Sequence, residues 1–151
     1  MSRCLLTPVG SSPGGAAYAE RSTVGTQTGP VLVVDDDPTI LATVAETLDL
    51  EGYPVVTATN GAEALEAYER TAPSLVLLDM RMPVLDGWGF VRAVRARGLS
   101  PVVVVMTATA DARRWASEIG AHGVLPKPFD LDDLIAEVQR LRPGPPGAAL
   151  A

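Results

Sequence analysis

Short, continuous apolar runs alternating with helical patterns constrain this chain more than any other feature. The runs are Val31–Val34, Val55–Val56, Leu75–Leu78, Val102–Met106 and Gly123–Leu125. The first, third and fourth are bounded by Gly, Pro or Asp and have the length and composition of buried strands. Between and after the runs, apolar residues recur at helical spacing. Ile40, Leu41, Val44, Ala45 and Leu48 form one stripe, and Ala64, Leu65 and Tyr68 mark a second helix with Asn60 as its cap. Phe90, Val91 and Val94 mark a third, and Ala112, Trp115, Ala116 and Ile119 a fourth. Leu131, Leu134, Ile135, Val138 and Leu141 give a fifth, opened by Asp130 as N-cap. Strands and helices in alternation imply parallel βαβ units with right-handed crossovers. Strands this apolar must be covered on both faces. The expected fold is therefore an α/β, doubly wound five-stranded parallel sheet.

This pattern occupies Pro30 to Arg142. Residues 1–29, rich in Gly, Ser, Thr and Pro, lack periodicity and read as a disordered leader. The tail at 143–151 opens on Pro143-Gly144-Pro145-Pro146-Gly147, which stops a helix, and reads the same way. Ala17-Tyr18-Ala19 resembles a signal-peptidase site, but Pro8, Gly10, Pro13 and Gly14 interrupt the apolar stretch that a secretory signal needs. No apolar run approaches the roughly 20 residues of a membrane span. Cys4 is the single cysteine, so neither an internal disulfide nor a zinc cluster can form, consistent with a reducing cytoplasm. The net charge of −6 gives no basic footprint for direct nucleic-acid binding.

In a doubly wound sheet, ligands bind outside the carboxyl ends of the strands. Those ends carry Asp35-Asp36-Asp37, Asp79, Thr107 and, after the last run, Lys127-Pro128. Clustered carboxylates repel one another unless a cation joins them. An oxygen-only donor set with no Cys or His favours a hard ion, Mg²⁺ over Zn²⁺. A phosphoryl group on Asp79 would bring three charged oxygens, which Mg²⁺, Lys127 and the Thr107 hydroxyl can neutralise and orient.

These segments resemble the receiver family of two-component response regulators. Val31-Leu32-Val33-Val34-Asp35-Asp36-Asp37-Pro38 resembles its opening, and Leu77-Leu78-Asp79-Met80-Arg81-Met82-Pro83 with Asp86-Gly87 its phosphoacceptor segment. Val105-Met106-Thr107-Ala108 and Leu125-Pro126-Lys127-Pro128-Phe129 are similar to its last two motifs, in the same order. The resemblance implies a flavodoxin-like (βα)5 fold with strand order 2-1-3-4-5. It implies Asp79 as the phosphoacceptor, and Asp35, Asp36, Asp79 and the Arg81 backbone carbonyl as ligands to Mg²⁺. Thr107, Ala108 and Lys127 would meet the phosphoryl group, and the Lys127-Pro128 bond would be cis. The implied partners are a sensor histidine kinase or phosphotransfer protein and a downstream protein. With no output domain after the last helix, the expectation is a stand-alone cytoplasmic receiver that is not an enzyme. Many receivers carry Tyr or Phe three residues before the lysine; here that switch position is Val124, so the aromatic half of the switch is missing. Arg81 and Thr109 flank the site and bear on water access to the phosphate.

Other residues read as structural. Asp37 caps the first helix with Pro38 at its first position, Asp86-Gly87 starts another, and Trp115 belongs to the core. His122 and the Arg113–Arg114 pair read as solvated. Two rival functions stand beside the receiver. One is a haloacid-dehalogenase-like phosphatase, whose Asp-x-Asp-x-Thr motif Asp35-Asp36-Asp37-Pro38-Thr39 resembles. That rival needs a late acidic pair at a strand end, whereas Asp132-Asp133 fall in the expected last helix and Asp79 is left without a role. The other is a receiver-like interaction module that never uses phosphate and would not respond to a small phosphodonor.

Overall fold

The computed structural model describes residues 29–108 and 110–142. The expected leader, except Gly29, and the expected tail lie outside the described residues, as does Thr109. Five strands, β1 (Val31–Val34), β2 (Val55–Ala58), β3 (Leu75–Asp79), β4 (Val103–Thr107) and β5 (Gly123–Pro126), form one sheet. All neighbours pair in parallel, in the order β2-β1-β3-β4-β5. The helices are α1 (Pro38–Leu50), α2 (Gly61–Thr71), α3 (Gly87–Ala96), α4 (Ala112–Ile119) and α5 (Leu131–Leu141). The expected α/β class, strand order and helix number are all found. Val55–Val56 extends two residues further than expected, and β3 and β4 reach far enough to include Asp79 and Thr107. Among the described residues no helix is long and apolar enough to cross a membrane.

Successive strand side chains point to opposite faces, and this divides the core in two. Leu32, Val34, Val76, Leu78, Val103 and Val105 face α2, α3 and α4, meeting Ala64, Phe90, Val94, Trp115 and Ile119. Val31, Val33, Leu75, Leu77, Val104 and Met106 face α1 and α5, meeting Leu41, Val44, Leu48, Leu134 and Val138. With both faces covered, the central strands need no polar side, which is why their sequences are unbroken apolar runs.

Helix starts are fixed largely as expected. Asp37 Oδ1 accepts the N–H groups of Thr39 and Ile40, with Pro38 at the first position of α1. Asn60 accepts from Glu63 N–H, and Glu63 reaches back to Thr59, a reciprocal cap. Asp86 accepts from Gly89 N–H to open α3. Asp130 occupies the N-cap position of α5, but its side chain caps nothing there. Leu131, expected in the apolar stripe of α5, is 42% exposed. Arg142, beyond that helix, is buried instead. Its guanidinium donates to the Gly29 carbonyl and to Ser74 Oγ and lies over the Tyr53 ring, tying the two ends of the described chain together.

The loop after β3 carries a strained turn. Leu85 N–H donates to Pro83 C=O at 2.8 Å across Val84, whose φ is +71°. That is the less favourable hand of the γ-turn, with a β-branched residue at its centre. Val84 is 80% exposed, so its side chain contributes little packing there. Val84→Gly is therefore expected to raise the unfolding free energy by about 1 kcal/mol, the relieved strain exceeding the added chain entropy of glycine. Urea denaturation is the check; a glycine variant no more stable than wild type would remove strain from the account.

Candidate functional site

Strand register builds the site. Val34 pairs with Leu78, Asp79 with Met106, and Thr107 with Pro126. The residues that follow or end these strands, Asp35, Asp79, Thr107 and Lys127, therefore line one edge of the sheet. Main-chain hydrogen bonds hold them there. Lys127 N–H donates to Thr107 C=O at 2.8 Å, and Asp37 N–H donates to Asp35 Oδ1 at 2.9 Å. Arg81 N–H approaches Asp79 Oδ1 at 3.4 Å. The Lys127-Pro128 peptide bond is cis, as the resemblance implies. Below the site, Met80 is fully buried, and Gly87 lies so close that an added Cβ would sit 2.6 Å from Met80 Sδ.

Asp35, Asp36 and Asp79 each offer a carboxylate oxygen within 4.8 Å of the others. Asp35 and Asp79 are buried while Asp36 is exposed. Opposite ligands of an octahedral Mg²⁺ lie about 4 Å apart, so a slight contraction of this all-oxygen cluster fits such an ion. The chemistry of the donors points the same way, since no thiolate or imidazole belongs to the cluster.

Lys127 supplies the one ammonium in this set. Its Nζ lies 2.6 Å from Asp35 Oδ2 and 3.9 Å from Asp79 Oδ2. The resemblance implies that Lys127 meets the phosphoryl group; here its tight contact is with Asp35. Burial pushes the Asp79 carboxyl up from 3.8 to about 6. Lys127 and the Arg81 N–H pull against that rise, while the neighbouring Asp35 and Asp36 charges add to it. Asp79 is thus ionised at neutral pH yet poorly solvated. It opens to a cleft lined by Asp79, Arg81, Thr107, Ala108 and Lys127.

The remaining candidates separate from this edge. Val124 lies inside β5 and packs, half-buried, on the same half of the core as Trp115. Asp132 and Asp133, the acidic pair that a phosphatase would need at a strand end, lie in the first turn of α5. His122 is exposed, although its Nδ1 accepts from Val103 N–H at 3.3 Å. Arg113 and Arg114 are solvated, and Trp115 is buried. Sequence reasoning gave the Arg81 side chain no partner, yet its guanidinium carbon lies 5.5 Å from the centroid of the Trp115 ring. A cation near the site and a tryptophan on the next helix but one were the available signals.

Residues 31–139 match the model of the response regulator receiver domain family. The transcriptional regulatory protein PrrA of Mycobacterium tuberculosis is 44% identical over 113 residues, covering 74% of this chain and 48% of that protein. The DNA-binding transcriptional regulator NtrC of Escherichia coli is 40% identical over 116 residues, covering 76% of this chain and 25% of that protein. The chain thus spans about half the length of the first and a quarter of the second. Among solved structures, the chemotaxis response regulator CheY4 of Vibrio cholerae matches with a TM-score of 0.69 at 33% identity, covering 75% of this chain and 98% of that one. The receiver domain of NtrX from Brucella abortus matches with a TM-score of 0.69 at 32% identity, covering 74% and 97%.

Proposed function

The chain belongs to the response regulator receiver family of two-component systems, and from that premise we propose that it accepts a phosphoryl group on Asp79. The observation that carries this reading is the position of Asp79: a buried strand-end carboxylate facing an open cleft, with a lysine and two further carboxylates beside it. A histidine kinase or phosphotransfer protein is the proposed donor, met in the cytoplasm, and a further protein the proposed recipient of the signal.

The proposed transfer follows from the charges. An Asp79 carboxylate oxygen attacks phosphorus, the new O–P bond forms as the donor's P–N bond breaks, and the electron pair leaves with the imidazole nitrogen. Burial leaves the Asp79 carboxylate poorly solvated, which favours its attack. Mg²⁺ held by Asp35, Asp36, Asp79 and the Arg81 carbonyl would supply charge neutralisation for the phosphoryl oxygens. Lys127 can then exchange part of its contact with Asp35 for a phosphoryl oxygen, and the Thr107 hydroxyl can donate to another. Hydrogen-bond donors already in place need little reorganisation as charge arrives.

The test is intact mass after incubation with Mg²⁺ and acetyl phosphate. Wild type is expected to gain one phosphoryl mass and Asp79→Asn none; a stable gain in the variant would overturn the assignment. In the same preparation Asp36→Ala should bind Mg²⁺ at least about tenfold more weakly, since it removes one of the few carboxylates. Titration calorimetry checks this, and unchanged affinity would take Asp36 out of the metal shell.

A further inference from the structure

Arg81 faces two ways. Its N–H points at Asp79 Oδ1 and its residue lines the cleft beside Asp79 and Lys127. Its guanidinium instead lies over Trp115 of α4, 5.5 Å from the ring centroid. Trp115 meets Trp88 of α3 edge-on, with centroids 4.8 Å apart and planes at 68°. Trp88 Nε1 in turn donates to Glu118 Oε1 at 3.1 Å. One exposed cation therefore links the cleft at Asp79 to the aromatic pair that joins α3 to α4. Among the described residues no carboxylate forms an ion pair with this guanidinium, so the ring contact is what holds it aside.

An exposed cation–π contact is weak beside a charge-assisted bond from arginine to a phosphoryl oxygen. Before transfer, the carboxylates near Arg81 already have Lys127 as a cationic partner. Transfer replaces the single charge of the Asp79 carboxylate by a phosphoryl group of nearly two, carried on three acceptor oxygens in the cleft that Arg81 lines. The planar guanidinium suits two of those oxygens at once.

Taking Asp79 as the acceptor, we propose that Arg81 reads the phosphoryl group: its guanidinium leaves the face of Trp115 for the phosphoryl oxygens. Trp115, relieved of its cation, repacks against Trp88, and the state of the site reaches the α3–α4 surface. Val124 offers no ring for a relay through β5, whereas this one runs through side chains already in contact. Arg81 acts here as a positioning residue whose effect passes through the indole pair, and the relay makes and breaks no covalent bond.

The chain has two tryptophans, and both belong to this pair, so tryptophan emission, excited beyond the tyrosine absorption band, reports on it alone. The experiment uses the full chain with Mg²⁺ and acetyl phosphate, following intact mass and emission together. Wild type is expected to gain the phosphoryl mass with a change in emission, and Asp79→Asn to show neither. Arg81→Met, which keeps the backbone carbonyl proposed for Mg²⁺ and changes only the side chain, should gain the mass and lose the emission response; Arg81→Lys, which keeps the charge, should recover part of it. Arg81 is exposed, so these variants should keep the fold, as far-UV circular dichroism will verify. A phosphorylated Arg81→Met with the full emission response would overturn the relay, as would a phosphorylated wild type with unchanged emission. An Arg81→Met that no longer accepts phosphate while wild type does would also overturn it, assigning the residue to transfer. No phosphoryl mass on wild type would overturn the Asp79 reading itself, and the relay with it.

Discussion

In the absence of divalent cations, Lys127→Met is expected to lower the unfolding free energy by about 3 kcal/mol, and Mg²⁺ at about 100 times its Kd should restore most of that loss. Asp35 is fully buried, and its Oδ2 holds the ammonium at 2.6 Å. Methionine preserves most of the apolar stem and removes the charge. Among the described residues Asp35 then keeps only the Asp37 N–H as a donor, while Asp36 and Asp79 stand within 4.8 Å. A buried charge stripped of its partner costs more than the intact pair contributes, and this one also loses the screening of two neighbours. Mg²⁺ would bind the folded cluster alone and offset the same repulsion. Urea denaturation in chelator and in Mg²⁺ measures both effects. Losses under about 0.5 kcal/mol in chelator would mean that water already solvates the cluster. The double variant Asp35→Asn, Lys127→Met separates the readings: if the buried charge is the cause, removing it recovers stability.

This arrangement gives Lys127 two duties. Without a metal it offsets the Asp35 charge; with a phosphoryl group at Asp79 it has a second anion within a short movement, since the Asp79 oxygen is already 3.9 Å away. A group that stabilises the resting state and can shift toward the product charge contributes at both stages of the proposed transfer.

Much of this was legible in the sequence, for identifiable reasons. Unbroken apolar runs separated by helical stripes leave few alternatives to a covered parallel sheet, and the rule about strand ends then gathers Asp35, Asp79, Thr107 and Lys127. What escaped depends on distances that periodicity does not carry. Lys127 was placed among the acids, but its preference for Asp35 over Asp79 is set by the reach of one side chain from the end of β5. Leu131 fits the helical spacing of Leu134 and Val138, yet it sits in the first turn of α5, where the stripe is not covered. Arg142 lies 2% exposed because a backbone carbonyl, a serine hydroxyl and a tyrosine ring converge on it from three distant segments. No local pattern announces that. The strained φ of Val84 is equally silent, since valine is an unfavourable choice for the turn it makes. Trp115 was legible as core, but not the cation over its face.

Asp79→Asn should make the metal-free protein more stable at neutral pH even as it abolishes phosphoryl transfer. The Asp79 carboxyl is raised from 3.8 to about 6 in the folded chain, chiefly by burial. Between those values the folded state holds a proton that the unfolded chain has released, so stability falls as pH rises through the window. Below it, both states are protonated and the penalty vanishes; above it, the ionised group would cost the fold about 3 kcal/mol in full, and about 2 kcal/mol once partial solvent screening is allowed for. Asparagine keeps the shape and removes the titration. The variant should therefore exceed wild type by about 2 kcal/mol at pH 7.5 in chelator and match it near pH 3, apart from effects common to both. Mg²⁺ should reverse the order at pH 7.5, because wild type gains a ligand for the ion that the variant lacks. Denaturation curves at the two pH values, with and without Mg²⁺, give four comparisons. A variant no more stable than wild type in chelator at pH 7.5 would show that the carboxylate is already well solvated, and would remove poor solvation as the source of its reactivity. The expected pattern would mean that the feature that makes Asp79 a good acceptor is also a cost to the fold, relieved by the cation and by Lys127.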